Sequence, residues 1–288
     1  VMLSVFGMSN HFFAERLLRA IAPNRTFKIL VGGAGAFVSI QNTSLEPFVV
    51  EMKNQNLIDD FIKGECEEAL QHYLDGKKFP GVNNFEPRQI DNLDSLPLID
   101  YSLVNLDAYN YIEGNRDVYI ESSRGCVRKC TFCDVHTHWT KFSFRSGEHI
   151  FNEMKYCAET YNIHSFHFTD SLINGSLSEF NLLLDLLIDL KKIYNFTWGG
   201  QFIIRDAKTC TEEYWAKIKA SGAHGLEIGV ETGSDRLRAL MNKSFTNDDF
   251  DFSMTMMEKY LILLDKKEYE LLKNLSDSLG EIEKCSNN

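Results

Sequence analysis

Strand-like apolar runs alternate with helical segments along most of this 288-residue chain. Such alternation is typical of α/β folds built on a parallel sheet. Over the second half of the chain the pattern predicts four strands, Val118–Ser122, Ser165–Thr169, Thr197–Ile204 and Gly225–Glu231. Helical stretches such as Gly147–Tyr161 and Ser178–Ile193 separate them. We therefore predict an α/β core over residues 117–260 that forms part of a (β/α) barrel.

Within these strands, side-chain parity predicts which residues face the barrel lumen. Neighbouring residues of a strand point to opposite faces, so Phe166 and Phe168 face the helices while His167 and Thr169 face inward. The same parity places Glu227, Gly229 and Glu231 opposite Leu226, Ile228 and Val230, and Gln201 and Arg205 opposite Phe202 and Ile204. Inward residues of separate strands converge on one cavity, as in barrel active sites. We expect His167 itself to be a core histidine.

The first 80 residues show the same alternation in shorter pieces. Its segments are Val1–Phe6, His11–Ala22, Phe27–Gly33, Leu57–Gly64 and Glu65–Leu74. They predict a partial Rossmann-like domain over residues 1–80. A proline-containing connector is expected over 81–116, because Pro80, Pro87 and Pro97 fall in or beside it. The tail over 261–288 is predicted to hold an amphipathic helix at about Asp265–Lys284.

The charge balance excludes several classes of protein. Lysine and arginine number 30 against 41 aspartates and glutamates, a formal net charge of −11. A field of this sign repels nucleic acid and anionic membrane surfaces, so no general nucleic-acid binding is expected. No apolar run reaches the roughly 18–20 residues that span a bilayer, and Val1–Asn10 lacks signal-peptide features. We therefore expect a cytoplasmic protein with no membrane span.

Three of the seven cysteines, Cys126, Cys130 and Cys133, lie within eight consecutive residues. They follow a predicted strand, so they sit on a loop at its carboxyl end, where ligands bind in α/β folds. Clustered thiols in a reducing compartment favour metal binding over disulfides. Three thiolates on one loop can hold a [4Fe–4S] cube and leave its fourth iron open for chemistry. The other cysteines, scattered singly, are predicted to be ordinary thiols.

The same loop allows an alternative interpretation as a zinc site. His136 or His138, close behind Cys133, would complete the ligand set, because thiolate and imidazole are ordinary zinc ligands. The chain would then be a non-catalytic metal-binding or interaction module, or a degenerate Fe–S remnant. About four irons per chain would support the cluster, whereas stoichiometric zinc would support this alternative.

The C-x3-C-x2-C spacing, with Phe132 before the last cysteine, resembles the cluster loop of radical S-adenosylmethionine (SAM) enzymes. The resemblance implies that the methionine amino and carboxylate groups of SAM chelate the open iron. It further implies that one-electron reduction cleaves SAM to a 5′-deoxyadenosyl radical, with electrons from a donor such as flavodoxin or ferredoxin. Phe132 stands at the position that abuts the adenine in this family.

Five further residues match the family's SAM site. Asp170 and Ser171 end the second predicted strand, where the family makes polar contacts to the methionine amino group. Gln201 and Arg205 lie on the third strand, where contacts to ribose or carboxylate are usual. Glu231 belongs to a Gly-Val-Glu-Thr-Gly-Ser motif that resembles the fourth-strand motif of the family. Its carboxylate is implied to accept hydrogen bonds from ribose hydroxyls.

Residues 1–80 resemble the later part of the cobalamin-binding domain that is fused to some radical SAM enzymes. The matching positions are Ser4, after the first strand, and Gly32 and Gly33, at the end of the next, where glycine allows a ligand to approach the backbone. The family's cobalt-ligating Asp-x-His-x-x-Gly pattern is absent, and no proline follows Pro97, where family barrels carry a Pro-Gly-Glu segment. We therefore expect a chain truncated at both ends that binds cobalamin weakly.

The family resemblance also implies a class of reaction. It is methyl transfer or another radical rearrangement on a small metabolite, lipid or natural-product intermediate. The expected cofactors are a [4Fe–4S] cluster and SAM, with cobalamin as a further possibility.

Overall fold

The computed structural model describes residues 1–38, 46–86, 88–108 and 117–260. The chain forms two compact units with a boundary between Asp91 and Asn92. The predicted helix at Asp265–Lys284 lies outside the described residues, as does part of the predicted connector. None of the described helices is long and apolar enough to span a bilayer.

The first unit is a three-stranded parallel sheet with helices packed around it. Its strands are β1 (Met2–Ser4), β2 (Leu30–Gly32) and β3 (Asp60–Phe61), in that spatial order. Its helices are α1 (His11–Ile21), α2 (Phe48–Asn54) and α3 (Glu67–Leu74). α1 buries Ala14 and Leu18, one helical turn apart, in the apolar core of the unit. The unit continues past residue 80, because Val82 pairs with Ile62 beside β3.

The second unit contains six described strands and six described α-helices. The strands are β4 (Asp117–Ile120), β5 (Ser123–Arg124), β6 (Ser143–Phe144), β7 (Ser165–Phe168), β8 (Thr197–Gln201) and β9 (Ala223–Glu227). The helices are α4 (Val135–His138), α5 (Gly147–Tyr161), α6 (Leu177–Lys191), α7 (Glu212–Ala220), α8 (Asp235–Leu240) and α9 (Asn247–Lys259). A parallel sheet has the order β4-β7-β8-β9, and β5 pairs with β6 in an antiparallel ladder. Within the described ranges, β4 and β9 are the edges of the parallel sheet.

One face of the parallel sheet packs against the helices and forms the main core. Phe166, Phe168, Trp198 and Leu226 are buried on this face. α6 contributes apolar residues at helical spacing, Phe180, Leu183, Leu184, Leu187 and Leu190. The predicted division of the strands into a helix-facing apolar face and an opposite polar face is therefore confirmed for β7 and β9, as is the α/β fold class.

Several elements differ from the predicted bounds. β8 ends at Gln201 and not Ile204, and β9 spans Ala223–Glu227 and not Gly225–Glu231. Glu231, with a left-handed φ of 65°, lies outside extended structure and could not have belonged to the predicted strand. The β5–β6 ladder has two residues in each strand, too few for hydrophobic alternation to reveal.

Candidate functional site

The polar face of the parallel sheet opens into a cavity of about 1120 Å³. Cys126, Cys130 and Cys133 line it, together with side chains from all four strands of the sheet. The cysteines enter from the loop between β5 and β6, which we call the cluster loop (residues 125–142). Because β5 and β6 pair on either side, this loop is closed at its base.

Asp170 fixes the start of the segment that leads into the cluster loop. Its buried carboxylate accepts hydrogen bonds from the backbone N–H of Ser122 at 2.9 Å and of Ser123 at 3.0 Å, and from the Ser122 hydroxyl. Burial raises the pKa of Asp170 to about 7; the hydrogen bonds from Ser122 and Ser123 oppose this rise, and the charge of Glu121 adds to it. Gly125 constrains the backbone at the start of the cluster loop. Its φ is 82°, and a Cβ at this position would lie 2.8 Å from the Lys141 carbonyl oxygen.

A second segment, residues 241–244 after α8, holds the far side of the cluster loop. The backbone N–H of Thr131 donates to Met241 O at 3.0 Å, and the Asn242 side-chain amide donates to Lys129 O at 2.8 Å. Arg128 donates to Ser244 O at 3.2 Å and, through its other terminal nitrogen, to Ile204 O at 3.0 Å. These contacts fix the backbone between the cysteines before any metal binds.

The three thiols suit an iron–sulfur cluster. Cys126, Cys130 and Cys133 line one cavity from a single loop. A cube binds its thiolates at separate iron corners, so it calls for three spaced sulfurs facing one cavity. Burial raises the pKa of the Cys126 thiol, against which the Arg128 backbone N–H hydrogen bond acts. The donor set therefore fits a [4Fe–4S] cluster.

The histidines of the zinc alternative are directed elsewhere. His136 Nε2 lies 2.5 Å from Arg128 O, and His138 Nε2 lies 4.0 Å from the Asp134 carboxylate. Two of the cysteines outside the loop, Cys157 and Cys210, are buried, and burial raises the pKa of their thiols to about 12 and about 11. This agrees with the prediction that they are ordinary thiols. The zinc interpretation is not favoured.

Four of the six predicted SAM-site residues line the cavity, namely Phe132, Ser171, Gln201 and Glu231. The ring of Phe132 is 53% exposed there. Asp170 and Arg205 are not among the lining residues. Asp170 is directed at Ser122 and Ser123, and one terminal nitrogen of Arg205 donates to Asn174 O at 2.8 Å and Gly175 O at 3.0 Å. In this structure both residues support loops instead of facing the space where SAM would lie.

Several lining residues were missed by sequence reasoning. Lys243 contacts Glu231 Oε1 at 2.7 Å and lies over the Phe132 ring, 5.5 Å from its centroid. Its contacts are distant in sequence, so periodicity gives no signal for it. His167 is not a core histidine, because its side chain is 37% exposed and lies 3.7 Å from Glu227. The alternation of side chains along the predicted strand does place His167 on the face that lines the cavity.

In the first unit, the structure gives Gly33 a local reason to be glycine. Its φ is 94°, and a Cβ there would lie 2.5 Å from Val5 O and 2.9 Å from the Ser4 hydroxyl. A Cβ at Gly32 would lie 3.2 Å from Ile62 O. The positive φ and the close approach of Val5 thus require glycine at position 33.

Comparison with known proteins supports the same site. Residues 120–260 match the profile of the Radical SAM superfamily. The chain is 24% identical over 213 residues to an uncharacterised methyltransferase of Pyrococcus horikoshii, a match that covers 68% of this chain and 45% of the relative. The chain therefore spans about half the length of this curated relative.

Two solved structures share the fold. The radical SAM methyltransferase TsrM from Kitasatospora setae superposes with a TM-score of 0.66 at 17% identity, covering 91% of this chain and 55% of TsrM. The cobalamin-dependent SAM radical enzyme OxsB superposes with a TM-score of 0.68 at 18% identity, covering 91% of this chain and 39% of OxsB. Fold and cysteine loop together define an iron–sulfur enzyme that uses SAM. Residues 120–260 therefore form a radical SAM domain, as the sequence predicts.

Proposed function

We propose that this chain catalyses methyl transfer from SAM to a small organic substrate, a metabolite, lipid or natural-product intermediate. The observation that carries the proposal is the presence of two units in one chain, a radical SAM domain and an amino-terminal α/β unit. The likeness to TsrM and OxsB covers 91% of the chain and therefore includes both units. The name of the Pyrococcus relative, a methyltransferase, supports the same reaction class.

In this proposal Cys126, Cys130 and Cys133 hold the [4Fe–4S] cluster, which supplies one-electron cleavage of SAM. Phe132 offers its exposed ring to the adenine, and Gln201 and Glu231 offer polar groups to the ribose. These roles rest on the position of each side chain in the cavity and on the family resemblance.

Positive charge beside the cysteines suits an anionic group of SAM. Arg128 and Lys243 line the same cavity as the three thiols. Lys243 is held by Glu231, and Arg128 by two backbone carbonyls, so both cations are positioned before a ligand arrives. We assign them to the methionine carboxylate and to the net negative charge of a thiolate-ligated cluster. Asp170 and Arg205 act one step further away, by holding the loops.

The remaining cofactor and partner assignments follow the resemblance. Ser4, Gly32 and Gly33 lie at the carboxyl ends of β1 and β2, where α/β folds bind ligands, and are the proposed cobalamin contacts. The reductant is a one-electron donor such as flavodoxin or ferredoxin.

The test separates cleavage from methyl transfer by their products. Reductive cleavage of SAM leaves 5′-deoxyadenosine and methionine, whereas methyl transfer leaves S-adenosylhomocysteine. The chain is reconstituted anaerobically with iron and sulfide and then given SAM, a strong reductant and hydroxocobalamin. We expect 5′-deoxyadenosine from the wild type and from Cys157→Ala but not from Cys130→Ala. We also expect S-adenosylhomocysteine that increases with hydroxocobalamin, because the reduced corrinoid would accept the methyl group when no substrate is added. Formation of 5′-deoxyadenosine without S-adenosylhomocysteine at any corrinoid concentration would refute methyl transfer and favour rearrangement.

A further inference from the structure

The cavity has two ends of different charge. The end beside the cysteines contains Arg128 and Lys243. The other end lies within the strands and is lined by polar side chains from β4, β7, β8 and β9. These are Asp117, Tyr119, Ser165, His167, Thr197, His224 and Glu227. Of the described residues that line this second end, which we call the strand end, none is lysine or arginine.

Three side chains of the strand end form a connected group. Tyr119 and His167 are direct partners across β4 and β7, with ring centroids 5.4 Å apart at an interplanar angle of 66°. His167 Nε2 lies 3.7 Å from Glu227 Oε1, across the intervening strand β8. Tyr119 is 53% exposed and Glu227 is exposed, so an aromatic ring and a carboxylate remain open to the cavity.

Next to these side chains, the surface of the sheet is formed by the backbone of two glycines. Gly199 of β8 is the register partner of both His167 and Gly225, so the row across the sheet reads Tyr119, His167, Gly199, Gly225. A Cβ at Gly225 would meet nothing within 4 Å, so the space above it is open. A ligand can therefore approach the backbone at Gly225, beside Glu227 on the same strand.

The cavity is large enough for two ligands. Its volume of about 1120 Å³ exceeds the roughly 300–1,000 Å³ of a site for one small molecule. His167 lies four residues before Ser171, which is at most about 13 Å at ~3.3 Å per residue. The strand end is thus about one small-molecule length from the end that would hold SAM.

A carboxylate and an exposed aromatic ring each attract a cationic nitrogen, and His167 lies between the two here. We propose that the strand end is the substrate subsite and that Glu227 and the Tyr119 ring select a substrate with a cationic amine. His167 is a positioning residue that holds the Glu227 carboxylate beside the backbone of Gly225. The inference rests on the proposed function in one respect only, which is that the molecule bound at the strand end is called a substrate.

The test measures binding and needs no turnover. Three probes share a phenyl ring and differ in the head group: phenethylamine is cationic, 3-phenylpropionate anionic and 2-phenylethanol neutral. Their dissociation constants are measured by anaerobic equilibrium dialysis on the reconstituted chain with SAM, at pH 8 and physiological salt. Glu227→Gln removes the charge and keeps the shape. Glu258→Gln, at an exposed position of α9, is the matched control for the net charge.

Phenethylamine is expected to bind at least about fivefold more tightly than either other probe. Glu227→Gln should weaken it about five- to tenfold, equivalent to ~1–1.4 kcal/mol, and Glu258→Gln should not. His167→Asn should weaken phenethylamine in the same direction by less, with an unchanged thermal midpoint. Equal or tighter binding of 3-phenylpropionate, or an unchanged constant in Glu227→Gln, would overturn the proposal. Failure of methyl transfer would leave these constants unaffected, so the two proposals fail separately.

Discussion

The Lys243 ammonium contacts the Glu231 carboxylate at 2.7 Å, in a pair whose side chains are 14% and 39% exposed. Lys243 also lies over the ring of Phe132, which belongs to the cluster loop. Glu231 lies four residues beyond the end of β9. One cation therefore connects the cluster loop with the loop that carries the proposed ribose ligand.

Glu231→Ala is expected to weaken SAM binding about tenfold, or ~1.4 kcal/mol, without loss of iron. The effect is moderate because the carboxylate is partly exposed. Glu231→Gly separates the side chain from the backbone: a non-glycine residue at φ 65° is strained by roughly 1 kcal/mol. The glycine variant should therefore bind SAM as weakly as the alanine variant but unfold at higher urea. Unchanged SAM affinity by calorimetry in both variants would restrict Glu231 to holding Lys243.

Single cysteine variants test the cluster assignment. Cys126→Ala, Cys130→Ala and Cys133→Ala should each abolish cluster assembly, because a cube held by two thiolates on one loop loses a third of its protein ligands. Cys157→Ala and Cys210→Ala are the controls, since both thiols are buried in the apolar core away from the cavity. Iron and sulfide per chain and the visible absorption of the cluster are measured after anaerobic reconstitution. A Cys130→Ala protein with full iron content would contradict the assignment.

Gly33→Ala tests whether the fold of the first unit requires this glycine. The added Cβ would lie 2.5 Å from Val5 O at a φ of 94°, so we expect a loss of about 3 kcal/mol in unfolding free energy. Gly76→Ala is the matched control, because Gly76 also has a positive φ, 70°, but a Cβ there would meet nothing within 4 Å. It should cost roughly 1 kcal/mol. Equal losses in urea unfolding would show that no close approach exists at Gly33.

The sequence predicts what local pattern and chemistry encode. The spacing of Cys126, Cys130 and Cys133 identifies the cluster loop, and strand parity places Phe166 and His167 on opposite faces of β7. Contacts made by segments far apart in the chain leave no such pattern. Lys243 reaches the cluster loop from a turn after α8, and Asp170 is directed at Ser122, 48 positions earlier, instead of into the cavity. Which face a loop residue presents is decided by such tertiary hydrogen bonds.

Asp170 should make stability depend on pH. Its native pKa of about 7 lies above the ordinary 3.8, so the folded chain binds this proton more tightly than the unfolded chain does. The stabilisation is therefore complete below about pH 4 and is lost as the pH rises to about 7. The change is on the order of a few kcal/mol. Asp170→Asn stays neutral at every pH and loses part of the hydrogen bonding to Ser122 and Ser123, so it should be less stable than the wild type in acid.

The difference between the two proteins should then shrink as the pH rises from 5 to 8. Urea unfolding of the wild type and Asp170→Asn at four pH values over this range measures it, in the same buffer and ionic strength. A charge change at Gln201 would not test the same effect, because Gln201 is exposed to the cavity and its amide does not titrate. A stability difference that stays constant over this range would mean that the hydrogen bonds from Ser122 and Ser123 hold the carboxylate ionised, because it would then be ionised in both states above pH 5. In that case the base of the cluster loop is held by an anion, and protonation in acid would loosen it.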